Sequence, residues 1–534
     1  MQPYALTVDK FLDHAAKWSG AREVVTGDAG RVASRVGYDT LRVRSNRVSG
    51  ALKALGLGLG DRIGTLAWNT QHHFETYYAA MGAGLVCHTL NPRLTAAHLA
   101  AMVNEAEDRV LAVADTLAPL LDQLAPLCPR LEHVILLDGG GLAPSTLGGK
   151  FQVWPYEALL HQHGAPAPWG GFDEAAPAGL CYTSGTTGPP KGVLYTHRSN
   201  YLHTLRALQA DAMALTGADS VLVAVPMFHA NGWGLPFAAP AVGAKLVLPG
   251  RHTDGASLAR LMREEAVTVA AGVHTVWLGL LDHLDADGGE LPDLRRLIIG
   301  GSSCPDALIR RMEHRLGVKV QTSWGMTELS PLGTIDPPGA PTSDGSSAGR
   351  PPMGLDLKLT DVAGATLAQQ RNVVGHLKAK GASVLDRYFK AEHDALDSEG
   401  YFDTGDLASL DDVGNLSIRG RSKDLIKSGG EWINPAEIEA IVGRLAGVAQ
   451  VAVIGRLDAK WGERPVLIVE AQPGHVVEAQ TLLGALRGKV ADWWLPNDVV
   501  QIAAMPLAAT GKIDKNRLRA DYADGGIVDG RSAP

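Results

Sequence analysis

The segment of greatest chemical interest is 182–192, YTSGTTGPPKG. It combines hydroxyl side chains, glycines and a lysine, and it follows the apolar run 179–182, which is typical of a strand end. Backbone amides exposed in such a loop bind phosphate oxygens, so the segment predicts a polyphosphate-binding loop. It is not a Walker A loop, because Pro190 stands where that motif has glycine and no Gly-Lys-Ser/Thr follows. The alternative is a flexible linker rich in Gly, Ser and Thr.

Three further candidate side chains follow strand-like runs or lie in a short turn. His229 ends an apolar run that begins at Val221, Glu328 comes shortly after the run 318–322, and Lys512 lies in a Gly-containing turn. Each has an ordinary alternative. A histidine beside apolar residues is often a satisfied core residue, and a single glutamate or lysine is often a solvated surface charge. Position alone therefore leaves the roles of these residues open.

The elements that must position these residues alternate between amphipathic helices and short apolar strands. This alternation predicts βα units around mostly parallel sheets, with a second block of such units at about 178–335. Shorter, more β-like segments follow up to about residue 420. The predicted strands of the two blocks are 61–66, 84–89, 109–113, 220–226, 244–248, 267–271 and 296–300.

The part of the chain beyond 421–423 has a different pattern. Asn434 suits a helix N-cap, Pro435 the first helical position, and Glu437 can reach back as in a capping box. Two strand-like runs and a second helix follow this helix, which predicts a separate α+β module. These predicted elements are the runs 449–454 and 465–472 and the helix 478–493.

Composition and charge exclude several classes of protein. The 534 residues carry 49 Lys and Arg against 57 Asp and Glu, a net charge of −8, so no broad basic face for nucleic acid is expected. The four cysteines form no CxxC pair and no disulfide framework. The segment 1–18 has early acidic residues and no apolar centre, and no apolar run has the length of a membrane span. A cytoplasmic protein is therefore expected.

The motifs, taken in order, resemble those of the adenylate-forming superfamily, which comprises acyl- and aryl-CoA synthetases, adenylation domains of peptide synthetases, and luciferases. The signature loop of that superfamily corresponds to 182–192. The other matching segments are 91–94 (NPRL), 226–232 (PMFHANG), 300–302 (GGS), 323–328 (SWGMTE), 401–406 (YFDTGD), 420–431 (GRSKDLIKSGGE) and 510–512 (TGK). The segments 429–433 and 324–331 are most similar to medium- and long-chain fatty acyl-CoA ligases and methylthiopropionyl-CoA ligases.

The resemblance implies an α/β fold in two domains. Residues 1–421 would form a large N-terminal domain of parallel-sheet αβ subdomains plus a distorted β-barrel. Residues 422–534 would form a small, mobile α+β domain that rotates about a hinge near Lys423.

The activity that the resemblance implies is that of an AMP-forming acyl-CoA ligase. ATP and a carboxylic acid, expected to be a short- to long-chain aliphatic one, would give acyl-AMP and pyrophosphate, and coenzyme A would then take the acyl group. Mg²⁺ would assist, and a homodimer is expected. The alternatives are transfer to a carrier protein, a luciferase-like reaction, an aromatic acid substrate, or an inactive nucleotide-binding homologue.

The resemblance also implies the site residues. The implied catalytic residues are Lys512, Glu328, His229 and Thr183, of which Glu328 and Thr183 would also hold the metal. The implied nucleotide-binding residues are Thr183, Ser184, Gly185, Thr186, Thr187, Gly188, Lys191, Gly301, Ser302, Trp324, Gly325, Met326, Thr327, Asp406 and Arg421. The implied acyl pocket consists of His229, Trp233, Val273, Val276, Trp277, Gly300 and Gly301. The residues implied for the hinge and the thioester step are Lys423, Lys427, Gly430, Glu431 and Trp432.

Particular roles follow from the same resemblance. Lys512 would bridge the acid carboxylate and the α-phosphate, Asp406 and Arg421 would bind the ribose hydroxyls, and Trp324 would stack on the adenine. Ser302 departs from the commoner Gly-Ala-Ala pattern, and His274 stands where the similar ligases often have proline. The second departure leaves room for a polar or unusual acid.

Overall fold

A computed structural model describes residues 1–139, 151–183, 190–302, 304–341, 347–428, 431–508 and 513–522. The strands in these ranges are β1 (Glu23–Asp28), β2 (Arg31–Gly37), β3 (Arg62–Leu66), β4 (Val86–Thr89), β5 (Val110–Val113), β6 (His133–Leu136), β7 (Gln152–Pro155), β8 (Pro177–Thr183), β9 (Lys191–Thr196), β10 (Ser220–Val223), β11 (Lys245–Leu248), β12 (Val269–Gly272), β13 (Arg296–Ile299), β14 (Lys319–Gly325), β15 (Leu332–Ile335), β16 (Leu355–Thr360), β17 (Val374–Gly381), β18 (Phe402–Leu410), β19 (Leu416–Arg421), β20 (Ile426–Ser428), β21 (Glu431–Ile433), β22 (Val448–Asp458), β23 (Gly462–Ala471) and β24 (Asp498–Ile502).

The helices in the same ranges are α1 (Asp9–Trp18), α2 (Tyr38–Ala54), α3 (Gln71–Gly82), α4 (Ala96–Ala106), α5 (Pro119–Leu124), α6 (Tyr156–His163), α7 (His197–Ala207), α8 (Leu235–Val242), α9 (Gly255–Glu264), α10 (His274–Asp287), α11 (Asp306–Leu316), α12 (Pro435–Val442), α13 (Ala479–Leu486) and α14 (Lys515–Tyr522). None of the helices in the described part of the chain has the length and apolar character needed to cross a bilayer.

Two mostly parallel sheets form the αβ part of the fold. One has the strand order β7-β6-β5-β3-β4-β8-β9 and the other the order β15-β14-β13-β12-β10-β11-β1-β2. Three of the four end strands, β9, β15 and β2, pair antiparallel with their neighbours, whereas β7 pairs parallel with β6. The predicted parallel αβ architecture is confirmed, since each predicted strand of the two blocks overlaps an observed one.

A single hydrophobic core joins the two parallel sheets through the helices between them. Phe74, Tyr77 and Tyr78 of α3 and Phe237 of α8 are fully or almost fully buried there. The Tyr78 hydroxyl donates to the Pro236 carbonyl at 3.0 Å, so the aromatic side chains also satisfy their polar ends. The two sheets are thereby held together, and the carboxyl ends of their parallel strands keep a fixed geometry.

A third, antiparallel sheet has the order β16-β17-β18-β19. Within the described residues this sheet is open and does not close into a barrel, so the distorted β-barrel expected from the resemblance takes the form of a four-stranded sheet. Its last strand ends at Arg421, followed by a 3₁₀ turn over Ser422–Asp424. The expected domain boundary between 421 and 422 falls at this turn and stays a prediction.

The final sheet has the order β21-β20-β23-β22, with β24 pairing to β23, and packs against α12 and α13. The Asn434 side chain caps α12 by accepting from the Ala436 amide, as predicted. Glu437 differs from the capping-box prediction, because its Oε1 accepts from Asn434 Nδ2 at 3.1 Å and not from the Asn434 backbone amide. The helix predicted at 478–493 is shorter than expected and ends at Leu486.

Candidate active site

A cavity lies at the carboxyl ends of β3, β10, β12 and β13, the edge at which open parallel sheets bind ligands. Its floor includes the segment after β10. Asn69, which follows β3, fixes this segment: its Nδ2 donates to the carbonyls of Val223 and Val225, both at 2.8 Å, and its Oδ1 accepts from the Met227 amide at 2.7 Å. The cavity lining comprises Trp68, Asn69, Asn91, Arg93, Ala224, Val225, Pro226, Phe228, His229, Trp233, Gly250, Arg251, Thr253, Val273, His274, Thr275, Val276, Gly301 and Ser302.

A left-handed turn directly after His229 brings Trp233 into the cavity wall. The φ angles of Ala230, Asn231 and Trp233 are 46°, 55° and 57°, a region that non-glycine residues rarely occupy. The Gly232 amide donates to the His229 carbonyl at 3.1 Å and closes the turn. Strain of this kind persists only where surrounding contacts determine it, and it is concentrated at functional sites.

Two glycines leave room for the Trp233 ring. A Cβ on Gly300 would come within 3.2 Å of Trp233 Cη2 and 2.6 Å of Ser323 Oγ. A Cβ on Gly301, whose φ is +85°, would meet Val273 Cγ1 at 3.4 Å. The close approach of Trp233 to this backbone therefore requires glycine at 300 and favours it at 301.

The structure brings most of the predicted acyl-pocket residues together. Gly300 and Trp277 are the two that do not line the cavity. His229, Trp233, Val273, Val276 and Gly301 line the cavity, and Gly300 lies against the Trp233 ring. Trp277 does not line it. This side chain is fully buried in the core around α9 and α10, because it lies one turn along α10 on the face that packs against β12.

A second, polar cleft lies beside the cavity, between β14, the 388–405 region and the 421–423 turn. Glu328 lines this cleft, and its side chain is largely buried. Burial raises the pKa of the Glu328 carboxyl, while the Tyr388 hydroxyl, which donates to its Oε1 at 2.9 Å, acts in the opposite direction. The Glu328 carboxylate is therefore poorly solvated. Its electrostatic attraction to a bound cation is stronger there than at an exposed position.

Lys191, near the end of the signature loop, contacts Tyr388, which lines this cleft. Its Nζ lies 4.9 Å from the centre of the Tyr388 ring, and the Thr183 hydroxyl donates to the Lys191 carbonyl at 3.4 Å. Tyr388 therefore links Lys191 to Glu328. The Tyr195 hydroxyl donates to the Thr327 carbonyl at 3.0 Å and holds the turn that carries Glu328.

Trp324, Asp406 and Arg421 form a hydrogen-bonded group on the other side of the cleft. Trp324 Nε1 donates to Asp406 Oδ2 at 2.9 Å, and Arg421 Nε pairs with Asp406 Oδ1 at 2.9 Å. Arg421 also donates to the Thr404 carbonyl at 3.1 Å. The Trp324 ring is mostly buried in the core of the antiparallel sheet, so the predicted stack on adenine concerns only its remaining exposed edge.

The residues predicted for the hinge and the thioester step lie where the small module begins. Lys423 lines the same cleft as Glu328 and Arg421, and burial lowers the pKa of its ammonium. Lys427 and Trp432 lie opposite each other in the hairpin β20–β21, with the Lys427 Nζ 5.5 Å from the Trp432 ring centre. Glu431 begins β21.

Several predicted residues lie outside the described ranges. These are Ser184, Gly185, Thr186, Thr187, Gly188, Gly430 and Lys512.

Gly325 ends β14 and Met326 lines the polar cleft beside Glu328, so both predicted nucleotide-binding positions accompany Thr327 at this turn.

Sequence reasoning missed Asn69, Arg93, Arg251 and Tyr388. Asn69 had a usable signal, because a polar residue directly after a buried parallel strand lies at the ligand-binding edge of a sheet. Arg93 lies in the segment 91–94, whose resemblance carried no role. Tyr388 and Arg251 had no local signal, since only the packing of distant segments places them in the site.

Comparison with known proteins adds an independent line of evidence. The family model described as AMP-binding enzyme matches residues 11–389, and that of the AMP-binding enzyme C-terminal domain matches 437–512. The chain is 40% identical over 529 residues to a medium-chain-fatty-acid–CoA ligase of Ectopseudomonas oleovorans, covering 97% of this chain and 96% of the relative. It is also 40% identical over 533 residues to a 3-methylmercaptopropionyl-CoA ligase of Ruegeria lacuscaerulensis, covering 98% of each.

Solved structures share the fold over nearly the whole chain. An anthranilate CoA ligase in complex with anthranoyl-AMP superposes with a TM-score of 0.87 at 23% identity, covering 97% of this chain and 98% of that one. ATP-bound MatB from Rhodopseudomonas palustris superposes with a TM-score of 0.85 at 25% identity, covering 98% of this chain and 99% of that one.

Proposed function

The chain belongs to the family of AMP-binding enzymes, and we propose that it is an ATP-dependent acyl-CoA ligase for aliphatic carboxylic acids. It would join the acid to the α-phosphorus of ATP, release pyrophosphate, and then exchange AMP for the thiol of coenzyme A. Relatives named as medium-chain and long-chain fatty acid ligases and as a 3-methylmercaptopropionyl ligase support an aliphatic acid of short to long chain.

The observation that carries the proposal is the meeting of an apolar cavity and a charged cleft at adjacent strands. Gly301 and Ser302, after β13, line the cavity, and Trp324, near the end of neighbouring β14, bonds to Asp406 beside the cleft. An acid in the cavity and a nucleotide in the cleft would therefore meet at these strand ends. Positioning of two reactants in this way removes much of the entropic barrier to their reaction.

His229 lines the cavity next to the predicted carboxylate end of the acid. Asp406 would accept hydrogen bonds from the ribose hydroxyls, with Arg421 holding its carboxylate in place. Thr183 and Lys191 flank the predicted phosphate loop and would contribute a hydroxyl and a positive charge to the phosphates. Positive charge aimed at the reacting phosphate stabilises the negative transition state.

The residues of the cleft fit a magnesium ion held mainly by the nucleotide. The described residues contain no group of three or more His, Cys, Asp or Glu side chains that could hold a metal. Mg²⁺ is commonly bound by one or two carboxylates together with phosphate oxygens and waters, and the buried Glu328 supplies such a carboxylate. Thr183 is the proposed second oxygen ligand. The ion would neutralise phosphate charge, whereas the chain's own residues orient the nucleotide and exclude water.

In this proposal the small module acts in both steps of the reaction, first in adenylation and then in thioester formation. Lys512 would bridge the acid carboxylate and the α-phosphate during adenylation, and rotation about Lys423 would then present the face containing Lys427, Gly430, Glu431 and Trp432 for the thioester step. Lys423 and Arg421 lie side by side at the junction of the two parts, which supports this position for the hinge. Rearrangement between the two steps protects a reactive acyl-adenylate from water.

The experiment that tests the proposal measures AMP and pyrophosphate from ATP with a panel of acids, with and without coenzyme A. The panel runs from propionate to dodecanoate and includes 3-methylmercaptopropionate, benzoate and cinnamate. AMP formation that depends on an aliphatic acid and on coenzyme A is expected. Preference for an aromatic acid, or pyrophosphate release that coenzyme A does not stimulate, would contradict the proposed substrate or acceptor.

A cytoplasmic homodimer is the assembly and location that we propose on the resemblance alone. Light scattering coupled to gel filtration measures the mass, and a value of one chain mass of 56.3 kDa would contradict the dimer.

A further inference from the structure

Two polar side chains meet in the wall of the acid cavity, next to an apolar part of its lining. His274, the first residue of α10, and Ser302, which follows β13, both line the cavity, and His274 Nδ1 lies 3.2 Å from Ser302 Oγ. Around this pair the wall is apolar, with Trp233, Val273 and Val276. Such a wall suits a hydrocarbon chain, and a polar group in it needs a polar partner when water is excluded.

His274 keeps one unused hydrogen-bonding nitrogen. Burial lowers the pKa of its imidazole, so the ring is neutral at pH 7. Ser302 Oγ engages Nδ1, and within the described ranges no other protein group bonds to the ring. A neutral imidazole with one nitrogen engaged offers either a donor or an acceptor at Nε2, depending on the tautomer. A hydroxyl group complements both cases, because it donates and accepts.

Several other polar side chains of the lining bond to backbone groups or are exposed to solvent. The side-chain amide of Asn69 makes hydrogen bonds to three backbone groups, and Asn91 Oδ1 accepts from the Arg93 amide at 3.0 Å. The side chains of Arg93 and Arg251 are exposed, whereas His274 is half-buried. His229 is assigned to the carboxylate end of the acid, so His274 is a half-buried polar group of the lining that is available to the rest of the acid.

We propose that His274, oriented by Ser302, selects aliphatic acids that carry a hydroxyl group on the chain. This inference rests on the proposed function and specifies its substrate class. A hydroxyl is favoured over a second carboxylate, because a neutral imidazole offers no charge to compensate a buried anion. It is favoured over a plain chain because a hydroxyl gives the second imidazole nitrogen a hydrogen-bond partner, which a plain chain lacks.

The test compares octanoate with its monohydroxy isomers, the hydroxyl being moved along the chain, in coenzyme A-dependent AMP formation. The measured quantity is the ratio of kcat/KM for each hydroxy acid to that for octanoate. This ratio does not depend on the fraction of active enzyme, so partial misfolding of a variant leaves it unchanged. The wild-type chain is expected to prefer at least one isomer by about tenfold, the scale of one well-placed hydrogen bond.

Three variants complete the design. His274→Phe keeps a planar ring without nitrogens and is expected to reduce the preference to about onefold. Ser302→Ala releases the imidazole and is expected to reduce the preference in part. His283→Phe, on the same helix but paired with Asp287 outside the cavity, is the matched control and keeps the wild-type ratio.

The outcomes separate the two hypotheses. If octanoate is activated but no hydroxy isomer is preferred, or if His274→Phe keeps the preference, the inference on His274 is wrong and the ligase proposal stands. A preference for the C8 dicarboxylic acid over every hydroxy isomer would likewise overturn it and indicate Arg93 or Arg251. Activation of no acid in either panel would overturn the ligase proposal and the inference with it.

Discussion

The cavity proposed for the acid and the cleft proposed for the nucleotide lie side by side but are built in different ways. The cavity is shaped largely by backbone: the left-handed turn before Trp233, the glycines at 300 and 301, and the segment that Asn69 anchors. The cleft is shaped by charged and aromatic side chains from distant segments, such as Glu328 with Tyr388 and Asp406 with Arg421. Under the proposed function, accommodation of the acid chain would depend mainly on space, whereas handling of the nucleotide would depend mainly on charge.

The physical consequence is a difference in what each region tolerates. Added volume beside a cavity shaped by backbone displaces the neighbouring side chains, and this displacement disturbs the space for the substrate. In the cleft, removal of a charge changes little in the packing but removes stabilisation of the transition state. Cavity variants should therefore change the KM of the acid, and cleft variants the response to ATP, Mg²⁺ and pH.

Glu328→Gln is expected to have the largest effect. It removes the buried negative charge with almost no change in volume, and kcat/KM for ATP should fall by about 100-fold to 1,000-fold. The Mg²⁺ concentration that gives half-maximal rate should rise, while the KM of the acid stays close to wild type. Pyrophosphate release over a Mg²⁺ titration measures both. An unchanged Mg²⁺ response would remove Glu328 from the metal site.

Gly300→Val is expected to have the next largest effect, and on the acid side. Its Cβ would lie 2.6 Å from Ser323 Oγ and 3.2 Å from Trp233 Cη2, so both the Ser323 side chain and the Trp233 ring, which lines the cavity, must shift. We expect kcat/KM for the acid to fall by about 100-fold, the loss typical of a misplaced substrate. The KM of ATP should change much less.

The matched control for this variant is Gly279→Val on α10, because a Cβ there meets no atom within 4 Å. Equal losses of kcat/KM for ATP and for the acid in Gly300→Val would contradict the proposed separation of the two regions.

Asn69→Ala tests how the cavity floor is held. The substitution leaves the amide of Met227 and two buried carbonyls without their partner, at a cost of about 1–3 kcal/mol per unsatisfied group at most. The melting temperature should fall by several degrees, and the KM of the acid should rise about tenfold. Asn104→Ala, which removes an exposed bond to the Leu127 carbonyl, is the control and should leave both values near wild type. A raised KM for ATP with an unchanged KM for the acid would contradict the anchoring role.

Tyr388→Phe is expected to have the smallest effect, and only on the pH profile of the cleft. The Tyr388 hydroxyl lowers the pKa of Glu328 against the raising effect of burial, so its loss raises that pKa further. A carboxyl must be ionised to bind a cation, and activity is therefore lost as pH falls through this pKa. The acidic limb of the kcat/KM profile for ATP should move to higher pH, with about a threefold loss on that limb. An unmoved limb would show that another group controls it.

Which residues act in the site stays a prediction from the motifs, and the motifs carry little information about how these residues meet. The parallel αβ architecture followed from alternating apolar runs, and the family from motif order. Trp277 was predicted to line the acyl pocket, but its side chain is buried in the core. Its neighbours Val273 and Val276 line the cavity. Helical periodicity decides that difference only when the orientation of α10 against β12 is known.

The sequence by itself determined which residue types are available for the proposed chemistry: the segment predicted to bind phosphate, the carboxylates at 328 and 406, the histidine at 229, and the glycines at 300 and 301. These depend on residue type and local spacing, which are written in the chain. Only the tertiary structure decided that Tyr388 contacts Glu328, that Asn69 holds the segment after β10, and that His274 meets Ser302 in the cavity wall. Each of these contacts joins residues at least 28 positions apart, and local propensity carries no information about such pairs.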